Sequence, residues 1–89
     1  MYTVQLSHRA TRELKKLRKE VAKRIIESLE LLAVNPYAEV LNFKKLKTNA
    51  SLFRIRIGDY RVIYEIKADL LIVLVVRVGH RKDVYEYLK

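Results

Sequence analysis

Residues Leu52 to Tyr64, LFRIRIGDYRVIY, read as a β-hairpin whose two faces differ in character. Strand side chains alternate with a period of two, so Phe53, Ile55 and Ile57 share one face while Leu52, Arg54 and Arg56 share the other. Gly58 and Asp59 are the turn, because glycine at the first central position suits a two-residue loop. Such a loop sets Arg56 opposite Arg61 and Ile55 opposite Val62, so three guanidinium groups converge on one face. Like charges directly across a strand pair are destabilising, on the order of the 0.2–1 kcal/mol that cross-strand pairs usually contribute. A hairpin that only had to fold would avoid this, and the face is expected to meet something anionic. Tyr60 and Tyr64 alternate onto the apolar face and are read as core rather than as stacking platforms.

Downstream, after Lys67-Ala68-Asp69, comes the segment Leu70 to Val78, whose uninterrupted apolar run LLIVLVV is that of a strand covered on both faces, an interior strand that ends at Gly79. The remaining HRKDVYEYLK is polar with Val84 and Leu88 at i, i+4, a short helix or an extended tail. Upstream, residues 37–51 are a connection pinned by Leu41, Phe43 and Leu46, with Lys44, Lys45 and Lys47 as a basic cluster. Tyr2 to Leu6 alternate as a short first strand, and Ser7 is the N-cap of a helix that begins at His8 and has Leu14 and Leu17 as its narrow apolar stripe. His8 is read as structural. A second helix runs from Lys19 or Glu20 to Val34, with Val21, Ile25, Leu29 and Leu32 on its stripe, Ile26 and Ala33 widening it, and Asn35-Pro36 ending it. The order β-α-α-β-β-β, plus a C-terminal tail or short helix, predicts an α+β fold. Its sheet is mostly antiparallel, with a helical hairpin on one face and a second face left partly bare for the arginines. No repeat or linker divides residues 1–89, which are expected to be a single domain.

Composition narrows the function. The chain has no cysteine, which removes disulfides, thiolate metal sites and thiol nucleophiles. Two distant histidines and two glycines supply neither a metal-ligating cluster nor a phosphate-cradling loop, so no cofactor and no metal is expected. No apolar run has the length of a signal peptide or a membrane span, which predicts a soluble cytoplasmic protein without a membrane partner. The net charge of +9 is the footprint expected for a nucleic-acid or an acidic protein partner. Eight basic and two acidic residues lie between Arg9 and Arg24. Arg9, Arg12 and Lys16, with Lys44, Lys45 and Lys47, are candidate contacts to RNA phosphates; the plainer account of the helix run is a solvated surface.

FRIRIGDYRVIYEI, Phe53 to Ile66, followed by VVRVGHRKDVYEYL, Val75 to Leu88, resembles the signature of the RelE/ParE toxin superfamily in its RelE branch. The resemblance covers nearly the whole chain and implies a RelE-like fold. It also implies a toxin of a toxin–antitoxin system that cuts mRNA in the ribosomal A site, with a cognate antitoxin, mRNA and the ribosome as partners. The likeness assigns the basic strand positions to Arg54, Arg56 and Arg61, and the C-terminal basic and aromatic positions to Arg81 and Tyr85.

Cleavage without a metal has the 2′-hydroxyl attack its adjacent phosphorus. This requires a proton acceptor, a donor for the departing 5′-oxygen and cations around the phosphorane. The planar guanidinium fork matches phosphate, so Arg54, Arg56, Arg61 and Arg81 are expected to hold the scissile group. Tyr85 is the expected proton carrier, since surrounding guanidiniums favour an ionised phenol. His80 is its rival, imidazole being the side chain that ordinarily exchanges protons near neutrality. Two alternatives are a ParE-like protein that poisons a topoisomerase (gyrase) and an RNA-binding module without catalysis.

Overall fold

The computed structural model describes residues 1–46 and 52–87, with side chains as far as Val84. The elements are β1 (Thr3–Leu6), α1 (His8–Lys15), α2 (Lys19–Val34), a 3-10 turn (Glu39–Leu41), β2 (Lys44–Lys45), β3 (Leu52–Ile57), β4 (Tyr60–Lys67), β5 (Ile72–His80) and α3 (Arg81–Tyr87). The strands form a five-stranded sheet in the order β1-β5-β4-β3-β2, antiparallel except where β1 lies parallel to β5. This is the α+β architecture read from the sequence.

Ser7 caps α1 as expected. Its Oγ accepts the Ala10 N–H at 3.1 Å and donates to the Val76 carbonyl at 3.2 Å, so one hydroxyl both starts the helix and ties it to β5. In α2 the stripe Val21, Ile25, Leu29 and Leu32 is buried against the sheet. Ile26 departs from the reading and stays 45% exposed. The four stripe residues already fill the inward face, and Ile26 projects sideways into an apolar groove with Val4, Leu6, Leu14 and Ala33.

The hairpin has the predicted register, with Ile55 opposite Val62 and Arg56 opposite Arg61. Gly58 has a φ of +60° and Asp59 is not among the residues of positive φ, the pattern of a type II′ turn. β5 is interior, between β1 and β4, but starts at Ile72 and ends at His80. Leu70 and Leu71 belong to the preceding turn and are exposed; Leu71 adopts a left-handed φ of +52°, and its carbonyl accepts the Thr3 N–H at 2.8 Å. Ile63 pairs with Arg77 and Tyr64 with Val75, so Val76 is an extra residue, a bulge that the sequence did not announce.

The connection before the hairpin holds the 3-10 turn, capped by Asn42 at a φ of +55°, and the short strand β2. The C-terminal segment takes the helical of the two forms read, and it packs on the face expected to be partly bare. Val84 is fully buried there, as is Ile63, and a Val84 methyl lies over Gly79.

Tyr64 is fully buried at the centre of the helix-side core. Its hydroxyl donates to the Pro36 carbonyl at 3.0 Å, and its ring leans on Phe53, which in turn touches Phe43 and Tyr37. Burial, aided by the neighbouring Tyr37, raises its phenol well above the ordinary tyrosine value. The folded state therefore favours the neutral phenol. That contribution is intact below the unfolded value of ~10 and is lost as pH rises beyond it. Tyr64→Phe is expected to lower unfolding free energy by about 1 kcal/mol at neutral pH and to make the alkaline decline shallower, measured as denaturant midpoints on either side of pH ~10.

Candidate nucleic-acid interface

Cross-strand partners share a face, and the observed register builds two rows from them. One row runs Lys44, Arg54, Ile63, Arg77 across β2, β3, β4 and β5; the next runs Arg56, Arg61, Gly79. The predicted trio Arg54, Arg56 and Arg61 is thus brought together, with Lys44 joining from β2. Lys45 pairs with Phe53 and falls on the other face. Lys47 lies outside the described residues.

The three arginines are not equivalent. Arg54 and Arg61 are buried, whereas Arg56 is exposed. Arg61 folds back on its own turn, donating to the Gly58 carbonyl at 3.0 Å and the Tyr60 carbonyl at 2.9 Å. Arg56 lines an open cleft with Arg24, Ser28, Asn42 and Gly58, where β3 continues past its two-residue pairing with β2. Arg81 opens α3 with its side chain exposed, and its backbone N–H donates to the Asp59 carbonyl at 2.8 Å. That bond fastens the start of α3 to the hairpin turn. Tyr85 lies on α3, and its side chain is outside the described residues.

His80 is not in these rows. It pairs with Tyr60, which lies on the helix side; the two rings meet edge to face at 5.7 Å. The His80 ring lines a cleft with Arg9 and Lys16 of α1, two of the predicted RNA contacts; Arg12, on the same helix, is exposed. The candidates are therefore divided between a sheet face and a helix-side cleft.

Arg77 escaped the sequence reading, and its signal was a lone cation within an apolar run. β1 accompanies β5 only over Ile72 to Val75, and β5 continues beyond it. There Glu13 of α1 takes the place of a neighbouring strand, accepting the Val78 N–H at 3.0 Å and the Arg77 Nε–H at 2.9 Å. The Arg77 side chain is 6% exposed and that of Glu13 21%, so this ion pair is largely desolvated.

The fold and its surfaces define a class, a small basic α+β protein with a helical hairpin on one sheet face and cationic rows on the other. Comparison with known proteins gives the family. The model described as "ParE toxin of type II toxin-antitoxin system, parDE" matches residues 4–85. A protein of Methanocaldococcus jannaschii provisionally named toxin RelE1 is 30% identical over 86 residues, 96% of each chain. In the crystal structure of the archaeal RelE–RelB complex from Pyrococcus horikoshii OT3, a chain 28% identical superposes with a TM-score of 0.79, over 90% of this chain and 94% of the other. A chain of the toxin–antitoxin complex RelBE2 from Mycobacterium tuberculosis, 32% identical, gives a TM-score of 0.70 over 90% of this chain and 98% of the other. The chain belongs to the RelE/ParE superfamily of type II toxin–antitoxin toxins, in its RelE-like branch.

Removing Glu13 deprives both Arg77 and the Val78 N–H of an acceptor. Glu13→Ala is expected to cost about 2 kcal/mol of stability and Glu13→Gln, which keeps one acceptor oxygen, distinctly less. Chemical denaturation of the two variants measures the difference.

Proposed function

We propose that this toxin is a cytoplasmic endoribonuclease. It cleaves mRNA in the ribosomal A site by metal-free attack of the 2′-hydroxyl, and is restrained by a cognate antitoxin that covers the basic sheet face. The observation that carries this reading is the hydrogen bond from the Arg81 N–H to the Asp59 carbonyl, which holds the Arg81 segment against the turn that bears Arg61 and flanks Arg56. Exposed guanidiniums from two distant parts of the chain thereby flank one place, as a phosphorane with added negative charge requires.

The burial pattern supports a division of labour. Arg56 and Arg81 are exposed and contact the phosphate; Lys44, also exposed, extends the cationic path along the strand row. Arg54 and Arg61, buried beneath them, contribute a fixed positive field, and Arg61 also holds the turn. A guanidinium keeps its proton, so the proton-carrying role falls to Tyr85 on α3. The superposed RelE structures and the RelE1 relative favour this branch. The matched family model carries the ParE description, and that favours the second reading, a topoisomerase poison.

Primer extension on an mRNA in a reconstituted translation reaction, with and without ribosomes, separates the readings. The expected result is discrete cuts that need ribosomes. Arg56→Ala or Arg81→Ala is expected to reduce them about 10²-fold or more, and Tyr85→Phe to abolish them, each with circular dichroism and melting nearly unchanged. Equal cutting by all variants would overturn the residue assignment. The absence of cuts, with inhibition of gyrase supercoiling, would establish the topoisomerase reading.

A further inference from the structure

The cleft that holds His80 borders the arginine rows at Arg77 and Gly79, contains none of Arg54, Arg56 and Arg61, and has its own chemistry. It occupies about 690 Å³ between α1 and the corner where β5 passes into α3, and its lining includes Arg9, Glu13, Lys16, Tyr60, His80 and Asp83. Its cations, Arg9, Lys16 and Arg77, outnumber its carboxylates, Glu13 and Asp83. Glu13 is engaged by Arg77 and the Val78 N–H and also pairs at 3.9 Å with Arg9, whose side chain is 58% exposed. Lys16 is exposed, as is Asp83. The Lys82 N–H donates to His80 Nδ1 at 3.3 Å, so in the neutral imidazole the proton sits on Nε2, the nitrogen left to act as donor.

We propose that this cleft is a second phosphate-binding site, which takes the phosphate of a nucleotide flanking the scissile step. A guanidinium, an ammonium and an imidazole N–H supply the mixture of donors that suits a phosphate's several oxygens. Tyr60, edge-on to His80, gives the attached ribose or base an aromatic neighbour. His80 and Arg81 are adjacent in the chain, yet one lines the helix-side cleft and the other starts the helix packed on the opposite face. A strand that crosses this corner is therefore held on both sides. The RNA identity of the ligand rests on the proposed function; the cleft's affinity for phosphate does not.

His8 and His80 are the only histidines, so the ring signals of His80 can be followed by NMR in the full chain. The probes are inorganic phosphate and a short RNA made uncleavable by 2′-O-methylation. Phosphate is expected to shift the His80 ring signals, with affinity reduced about five- to tenfold in R9A/K16A and unchanged in R56A. The RNA is expected to shift both His80 and the Gly58 and Asp59 amides. His80 signals unmoved by phosphate, or shifted equally in R9A/K16A, would overturn the site. RNA that moves the turn amides while His80 stays silent would overturn the flanking-nucleotide role and leave the proposed function standing. Phosphate bound at His80 with no RNA binding at either place would uphold the site and count against that function.

Discussion

The register of the β3–β4 hairpin is the constraint on which the other features rest. With Ile57 paired to Tyr60 around Gly58-Asp59, the alternation sends Ile55, Ile57 and Val62 into the core and Arg54, Arg56 and Arg61 to the opposite face. A slip of one residue would exchange the two sets. The apolar side chains would each lose about 1.5–3 kcal/mol of burial, and guanidiniums would enter the core at several kcal/mol apiece. Against such terms the repulsion between Arg56 and Arg61, of order 1 kcal/mol or less, cannot dislodge the pairing. The turn adds its own restraint, because Arg61 donates to carbonyls on either side of Asp59. A like-charge pair that would be a fault in a free hairpin is thus held in place by the other face of the same strands.

The edge of β5 is the second constraint. β1 is too short to accompany β5 to its end, and an uncovered edge would present unpaired backbone groups. Ser7 and Glu13 meet this need with side chains, drawing α1 along the edge where a strand would otherwise lie. Arg77 compensates the Glu13 charge from the strand itself. Because α1 is held by its Glu13 side, Arg9 and Lys16 face the cleft that His80 lines. One carboxylate thus acts through backbone and charge, together with the packing of Ala10, Leu14 and Leu17, to fix where part of the basic helix points.

The parts of this structure legible in the sequence are those fixed by local periodicity and short-range chemistry. These include the hairpin with its turn, the α2 stripe, the Ser7 cap and the core placement of Tyr64. What escaped depends on distant partners. The bulge at Val76 shifts β5 by one residue, and nothing in VLVVRVG marks where that occurs. β2 exists only because β3 offers it a partner, and Ile26 is exposed because four other residues had already filled the face. α3 folds onto the sheet through Val84, which lies over Gly79, a contact that its own polar sequence hardly signals. Of the candidate residues, the arginine trio was legible because a hairpin's register is a local property. His80 was named beside them as the rival proton carrier, and its register opposite Tyr60 places it on the other face from Arg56 and Arg61.

That Arg54, Arg61 and Arg77 are each less than a tenth exposed bears on why this face carries arginine rather than lysine. An ammonium moved into such surroundings readily gives up its proton, and the face would then lose charge where charge is its purpose. A guanidinium is delocalised, more weakly hydrated and does not titrate in proteins, so it tolerates partial burial with its charge intact. Its fork also lets one group serve two acceptors, as Arg61 does with the turn. The consequence for the proposed chemistry is a separation of tasks. The rows supply a permanent positive field that changes little during a reaction, which is the condition under which electrostatic stabilisation needs no reorganisation. Groups that never exchange protons leave proton transfer to a residue outside the rows, and α3, which both starts beside the hairpin turn and carries Tyr85, is the element that brings such a residue from elsewhere in the chain.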